Sequence, residues 1–188
     1  MTRHLLPDLW LLSDERNAAV LERVLRNAQQ SMGFIYRHYH LPDPQRHEEF
    51  QRLAHVARAG GHIVILADSA LTAREWGAEG IYGAPLALYP RRSDLIRIAT
   101  AHDMREIAQA NRVEANAVML SPVFPTRSHP GGAVLGTARF RTLAAHAQMP
   151  VIALGGMNRQ TAQRLAWPRW AAIDGLSPLP SRRRIHRE

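Results

Sequence analysis

Pro150-Val151-Ile152-Ala153-Leu154-Gly155-Gly156 is an apolar run that ends in paired glycines. Its β-branched residues, the proline before it and the glycines after it favour a buried strand over a buried helix. It is far shorter than the roughly 20 residues a membrane helix needs. A strand that runs into glycines and then a helix is how parallel-sheet folds offer backbone N–H groups to an anion. Gly156 would let a ligand oxygen approach the backbone, and Asn158 is placed to cap a helix over Gln160 to Leu165. An ordinary strand-to-helix turn would read the same way, so the motif alone leaves both readings open.

The rest of the chain narrows the choice. Its 188 residues, 46% hydrophobic and 21% charged, fit one domain and exclude wholesale disorder. Asp8 and Asp14 interrupt the N-terminal stretch that a signal peptide would keep apolar, so the cytoplasm is the expected compartment. There is no cysteine, which removes disulfides, thiolate metal sites and cysteine nucleophiles. All 24 basic residues are arginine, so Schiff-base and pyridoxal chemistry lack their amine. A net charge of +8 favours anionic partners. Nucleic acid is an unfavoured partner, because the arginines are dispersed, aromatics are 6%, and no nucleic-acid-binding motif is present.

Strand-like and helix-like segments alternate. Strands are expected at Leu9–Ser13, Gly33–Tyr39, His62–Ala67, Gly80–Gly83, Leu95–Ala101, Ala117–Pro122, Val151–Leu154 and Ala171–Asp174. Helices are expected at Ala18–Gln29, Gln45–Ala59, Leu71–Trp76, Met104–Ala110, Arg139–Ala147 and Gln160–Leu165. This order predicts an α/β fold, a compact (β/α)8 TIM barrel over residues 1–176, with a short basic tail at 177–188. The fourth helix is replaced by the loop Ala84–Asp94 and the eighth by the tail; an open doubly wound sheet is the competing fold.

Taken in order, the strand ends resemble the thiamine phosphate synthase and TenI superfamily. The most specific pieces are Ser121-Pro122-Val123-Phe124-Pro125-Thr126 and Val151-Ile152-Ala153-Leu154-Gly155-Gly156-Met157; Leu12-Ser13-Asp14, Leu66-Ala67-Asp68 and Thr100-Ala101-His102 support them. The resemblance implies a barrel that acts on thiazole phosphates. Synthases of this family join hydroxymethylpyrimidine diphosphate to a thiazole phosphate with Mg²⁺, while some TenI proteins isomerise a thiazole carboxylate phosphate.

The resemblance also implies site residues. Thr126 and Ser128 keep the hydroxyls of the phosphate loop after strand 6, and Gly155, Gly156, Gly175 and Leu176 provide a backbone phosphate cup. Arg37 is the arginine of the strand 2 pattern, Asp68 a Mg²⁺ ligand, and His102 the proton shuttle at the end of strand 5. Other positions depart from the pattern. Ile35 and Tyr39 stand where synthases have glutamine and lysine, Ala84 to Leu86 replace the second metal aspartate, and His129 replaces the pyrophosphate lysine. Asp174 puts a carboxylate beside the phosphate cup, which would repel the phosphate unless the side chain turns away or pairs with an arginine. An altered synthase, a His102-dependent isomerase and a non-catalytic phosphate binder are the three functions compatible with these residues.

Overall fold

The structure is a computed structural model, and it describes residues 6–90, 93–128 and 131–176. The expected tail and His129 lie outside these residues.

Eight parallel strands close a barrel: β1 Leu9–Leu12, β2 Gly33–Tyr36, β3 Ile63–Leu66, β4 Gly80–Gly83, β5 Ile96–Ala101, β6 Ala117–Leu120, β7 Val151–Ala153 and β8 Trp170–Ala172. The pairing Trp10 with Ala171 joins β1 to β8 and rules out the open sheet. Six α-helices lie among the described residues: α1 Leu21–Arg26, α2 Asp43–Ala59, α3 Ala70–Trp76, α4 Met104–Arg112, α5 Gly136–Ala144 and α6 Arg159–Leu165. After β4 the described residues form a 3-10 turn, Pro85–Leu88, within the loop expected in place of the fourth helix. No helix among the described residues is long and apolar enough to cross a membrane.

Strand alternation divides the core into two layers. Trp10, Leu12, Ile35, Ile65, Ile98, Met119 and Ile152 fill the barrel interior. Leu11, Phe34, Tyr36, Val64, Ala99, Val118 and Ala153 face outward and pack under the helices with Phe50, Leu53 and Phe140. The floor of the barrel is closed by Trp10, whose indole donates to the Pro7 carbonyl at 2.8 Å. The ring needs the space above Gly33, where a Cβ would lie 2.1 Å from Trp10 Cε3.

The first helix differs from expectation. Asp14 caps a 3-10 turn, Glu15–Val20, and its N–H returns to the Asn17 side chain, so the chain turns over the top of the barrel before α1 begins. Buried Asn17 then donates to the carbonyls of Leu12 and Ile173, at 2.9 and 2.8 Å, tying the ends of β1 and β8 together. Strand 2 stops at Tyr36, three residues short of the expected end, because His38 takes a positive φ of 34° and breaks the extended run.

Candidate active site

The carboxyl ends of β6, β7 and β8 and the turn after β1 enclose an open cleft of about 1120 Å³. Thr126, Ser128, Gly155, Gly156, Gly175 and Leu176 all line it, so the structure brings together the six residues expected at a phosphate. The three glycines are set by close backbone approach. Gly155 and Gly156 have φ of 93° and 63°, and a Cβ on them would lie 2.6 Å from Pro122 Cα and 2.5 Å from the Pro125 carbonyl oxygen. A Cβ on Gly175 would lie 2.1 Å from the Met157 carbonyl oxygen. The turns after β6, β7 and β8 are therefore stacked against one another. Among the described residues, no acceptor takes the backbone N–H of Gly155, Gly156, Gly175 or Leu176.

The two hydroxyls are partly engaged. Thr126 Oγ1 accepts from the Ser128 N–H at 3.3 Å, and Ser128 Oγ accepts from Arg16 at 2.9 Å. As acceptors in these bonds they keep their own protons to donate. Arg16 is a site residue the sequence reading missed. Its Nε donates to Asp14 Oδ1 at 2.7 Å, and its Nη1 lies 3.5 Å from Asp174 Oδ2. The Asp174 carboxylate thus has the arginine partner that its position demanded.

Arg37 sits at the top of β2 and is held by Asp14 Oδ2 at 2.8 Å and by the Ser13 carbonyl at 2.8 Å. Asp14 consequently serves two guanidinium groups. Burial alone would raise its pKa, but the hydrogen bonds and charges of Arg16 and Arg37 outweigh this and hold it below the usual range. Of the other strand 2 positions, Ile35 is sealed in the interior and Tyr39 is exposed beyond the strand end. Tyr82, on the inner face of β4, has its phenol pushed up to about 12 by burial, which keeps it a neutral hydroxyl.

Asp68 does not stand as an open metal ligand. Its Oδ2 accepts from Arg46 at 2.6 Å and its Oδ1 from the Ser69 N–H at 2.7 Å. The N-cap of α3 is the next residue, Ser69, whose side chain accepts from the Thr72 N–H. Burial would raise the Asp68 pKa, yet the Arg46, Ser69 and Thr72 hydrogen bonds overcome it and lower the value. Arg46, in the first turn of α2, is 7% exposed, also donates to the carbonyls of Arg37 and Ala67, and lies over the rings of Tyr39 and Trp76. Asp94, the acid at the end of the loop that stands where the second metal aspartate is missing, pairs with Arg74 at 2.7 Å. The described residues hold no group of three acids or histidines able to bind a metal.

His102 follows the last residue of β5. Its Nδ1 and its backbone N–H both meet Glu106 Oε2, at 2.8 and 2.6 Å, and its side chain is 57% exposed. Glu106 lies in the first turn of α4 and was not anticipated; the four-residue spacing was the available signal. His38 packs outward on Tyr36 and against His40, with ring centroids 4.9 and 5.0 Å apart.

A closed barrel with a cleft at the carboxyl ends of its strands defines the class, a (β/α)8 barrel of the kind that carries its sites on the strand-end loops. Comparison with known proteins gives the family. A family model described as thiamine monophosphate synthase matches residues 9–176, and the chain belongs to that family. It is 29% identical over 133 residues to the thiamine-phosphate synthase of Chloroflexus aurantiacus, covering 68% of this chain and 62% of the relative. Against the thiamine-phosphate synthase of Lactococcus lactis subsp. lactis it is 28% identical over 130 residues, covering 65% and 60%. The matches thus span less than two thirds of either relative's length. Among solved structures, the fold is similar to thiamine phosphate pyrophosphorylase from Pyrococcus furiosus, with a TM-score of 0.71, 20% identity, and 89% and 85% of the two chains covered. The YdjI aldolase from Escherichia coli K12 shares the fold at a TM-score of 0.63 and 8% identity, covering 88% of this chain and 74% of the aldolase.

Proposed function

We propose that the chain binds a thiazole phosphate in the cleft over β7 and β8 and joins it to hydroxymethylpyrimidine diphosphate, as a thiamine phosphate synthase. The observation that carries this reading is the set of backbone N–H donors on Gly155, Gly156, Gly175 and Leu176, residues that line the cleft and whose N–H groups have no acceptor among the described residues. Such groups suit a phosphate, because preorganised backbone donors lose little on binding it. The hydroxyls of Thr126 and Ser128 add two donors from the facing loop.

In this reaction the thiazole nitrogen forms a bond to the pyrimidine methylene carbon while the carbon–oxygen bond to the diphosphate breaks, and pyrophosphate leaves with the electron pair. The cup's part is to fix the thiazole phosphate so that its ring nitrogen is presented to the methylene carbon. Mg²⁺ serves the family reaction, but Asp68, neutralised by Arg46, does not fit a Mg²⁺ ligand, so no step is assigned to the metal here. Arg37 is held at the top of β2 by Asp14, so it would meet an anionic substrate as part of that ion pair rather than as a free charge.

A second reading rests on His102. Glu106 fixes its Nδ1, which leaves Nε2 as the nitrogen to exchange a proton with a substrate and fits a TenI-like isomerase of a thiazole carboxylate phosphate. The deciding experiment incubates purified protein with thiazole phosphate, the pyrimidine diphosphate and Mg²⁺. The synthase reading expects thiamine phosphate and pyrophosphate in equal amounts. No thiamine phosphate, with turnover of the thiazole carboxylate phosphate instead, selects the isomerase; inactivity in both assays with retained binding selects a non-catalytic binder.

A further inference from the structure

We propose that Arg16 is the charged side-chain ligand for phosphate in this cleft, and that Asp174 occupies its guanidinium until a phosphate displaces it. The inference rests on the phosphate reading of the cleft given above. In a chain without lysine, arginine is the side chain that brings a permanent positive charge to a phosphate dianion. Arg127 and Arg159 also line the cleft and, like Arg16, are exposed, but among the described residues neither is held in place by an ion pair. Arg16 is positioned by residues on three strand ends, Asp14 after β1, Ser128 after β6 and Asp174 after β8.

These three contacts differ in quality. The bonds to Asp14 and Ser128 are short, at 2.7 and 2.9 Å, and they aim the guanidinium. The approach to Asp174, at 3.5 Å, lies outside good hydrogen-bond range, so this carboxylate is the weakest partner. Asp14 can keep its own charge balanced while Arg16 turns, because Arg37 holds its other oxygen at 2.8 Å. The turn that carries Arg16 is fixed below by buried Asn17. A phosphate oxygen that enters the cleft would replace Asp174 on Nη1 and gain a charge-assisted bond on a preset fork. Asp174 then acts as a competing anion, which lowers affinity both by holding Arg16 and by repelling the ligand.

Calorimetric titration with inorganic phosphate and with thiazole phosphate tests the proposal on wild type, Arg16→Gln, Asp174→Asn and the double variant, each checked for folding by its thermal melt. Arg16→Gln should weaken binding about tenfold or more, the scale of one charge-assisted hydrogen bond. Asp174→Asn should tighten binding several-fold, and most of that gain should vanish in the Arg16→Gln background. Unchanged affinity in Arg16→Gln would overturn the role of Arg16 while leaving the cup standing. A gain from Asp174→Asn that persists in full without Arg16 would overturn the exchange between the two residues. Failure of the folded wild type to bind either ligand would overturn the phosphate reading, and this inference with it.

Discussion

The Arg46 guanidinium donates to the Asp68 carboxylate across 2.6 Å, joining the first turn of α2 to the end of β3. In this structure Asp68, the acid that the family resemblance offered to Mg²⁺, is the counter-ion of a buried arginine. Removing its charge should therefore be felt as stability. Asp68→Asn leaves Arg46 buried beside a neutral group, and the cost should be about 1–3 kcal/mol, below that of a fully buried pair because Asp68 is 28% exposed. Urea unfolding measures it, and the double variant Arg46→Met/Asp68→Asn should recover part of the loss. A single variant as stable as the wild type would show that the pair contributes nothing.

Acid should expose the same carboxylates. Asp14 and Asp68 have pKa values lowered in the fold, so their stabilisation is present above the unfolded value of about 3.9 and lost as pH falls through the folded values. Unfolding free energy measured from pH 5 to pH 2 should fall steeply, and Asp68→Asn should flatten the curve.

His38 sets a second window. Burial first, then the neighbouring His40, push its pKa down, so the unfolded chain takes up the proton before the folded one does. Stability should then decline as pH drops below about 6.5 toward the lowered folded value. His38→Asn keeps a residue tolerant of the positive φ of 34° and should reduce that slope. An identical slope in the variant would mean that His38 does not titrate this way.

Gly156→Ala should destabilise the protein by about 1–3 kcal/mol, since it combines a positive φ with a Cβ driven into the Pro125 carbonyl. The turns after β6 and β7 would be forced apart, and phosphate affinity should fall with the melting temperature. A variant with wild-type melting and binding would contradict the stacked-turn account of the cup.

His102→Ala should leave phosphate affinity nearly unchanged, because the cup donors lie after β7 and β8. If the protein turns over a thiazole carboxylate phosphate, the same variant should lose about 10² or more in rate, the scale of a general acid–base. Wild-type turnover in the variant would exclude His102 as the proton carrier.

The barrel was legible because each strand is an apolar run bounded by turn residues, and every strand but β2 falls within two residues of its expected bounds. What the sequence concealed was set by long-range pairing. Arg16 meets Ser128 across 112 positions, and Arg46 meets Asp68 across 22, and no periodicity encodes either contact. The early end of β2 depends on the backbone of His38, which its residue type permits without announcing. The first helix was misplaced because Ala18 to Gln29 has good helical composition, whereas the Asp14–Asn17 capping pair imposes a 3-10 turn first. Gly155, Gly156 and Gly175 were visible as glycines, but their need for backbone contact emerged only from the stacking of three loops.

On the proposed function, backbone N–H groups at the ends of β7 and β8 hold the ligand's phosphate. Titrating ¹⁵N-labelled protein with thiazole phosphate and following the amide resonances tests it most directly. Saturable shifts should concentrate at Gly155, Gly156, Gly175 and Leu176, with smaller ones at Thr126 and Ser128. Saturable binding that leaves those four amides unmoved would contradict it.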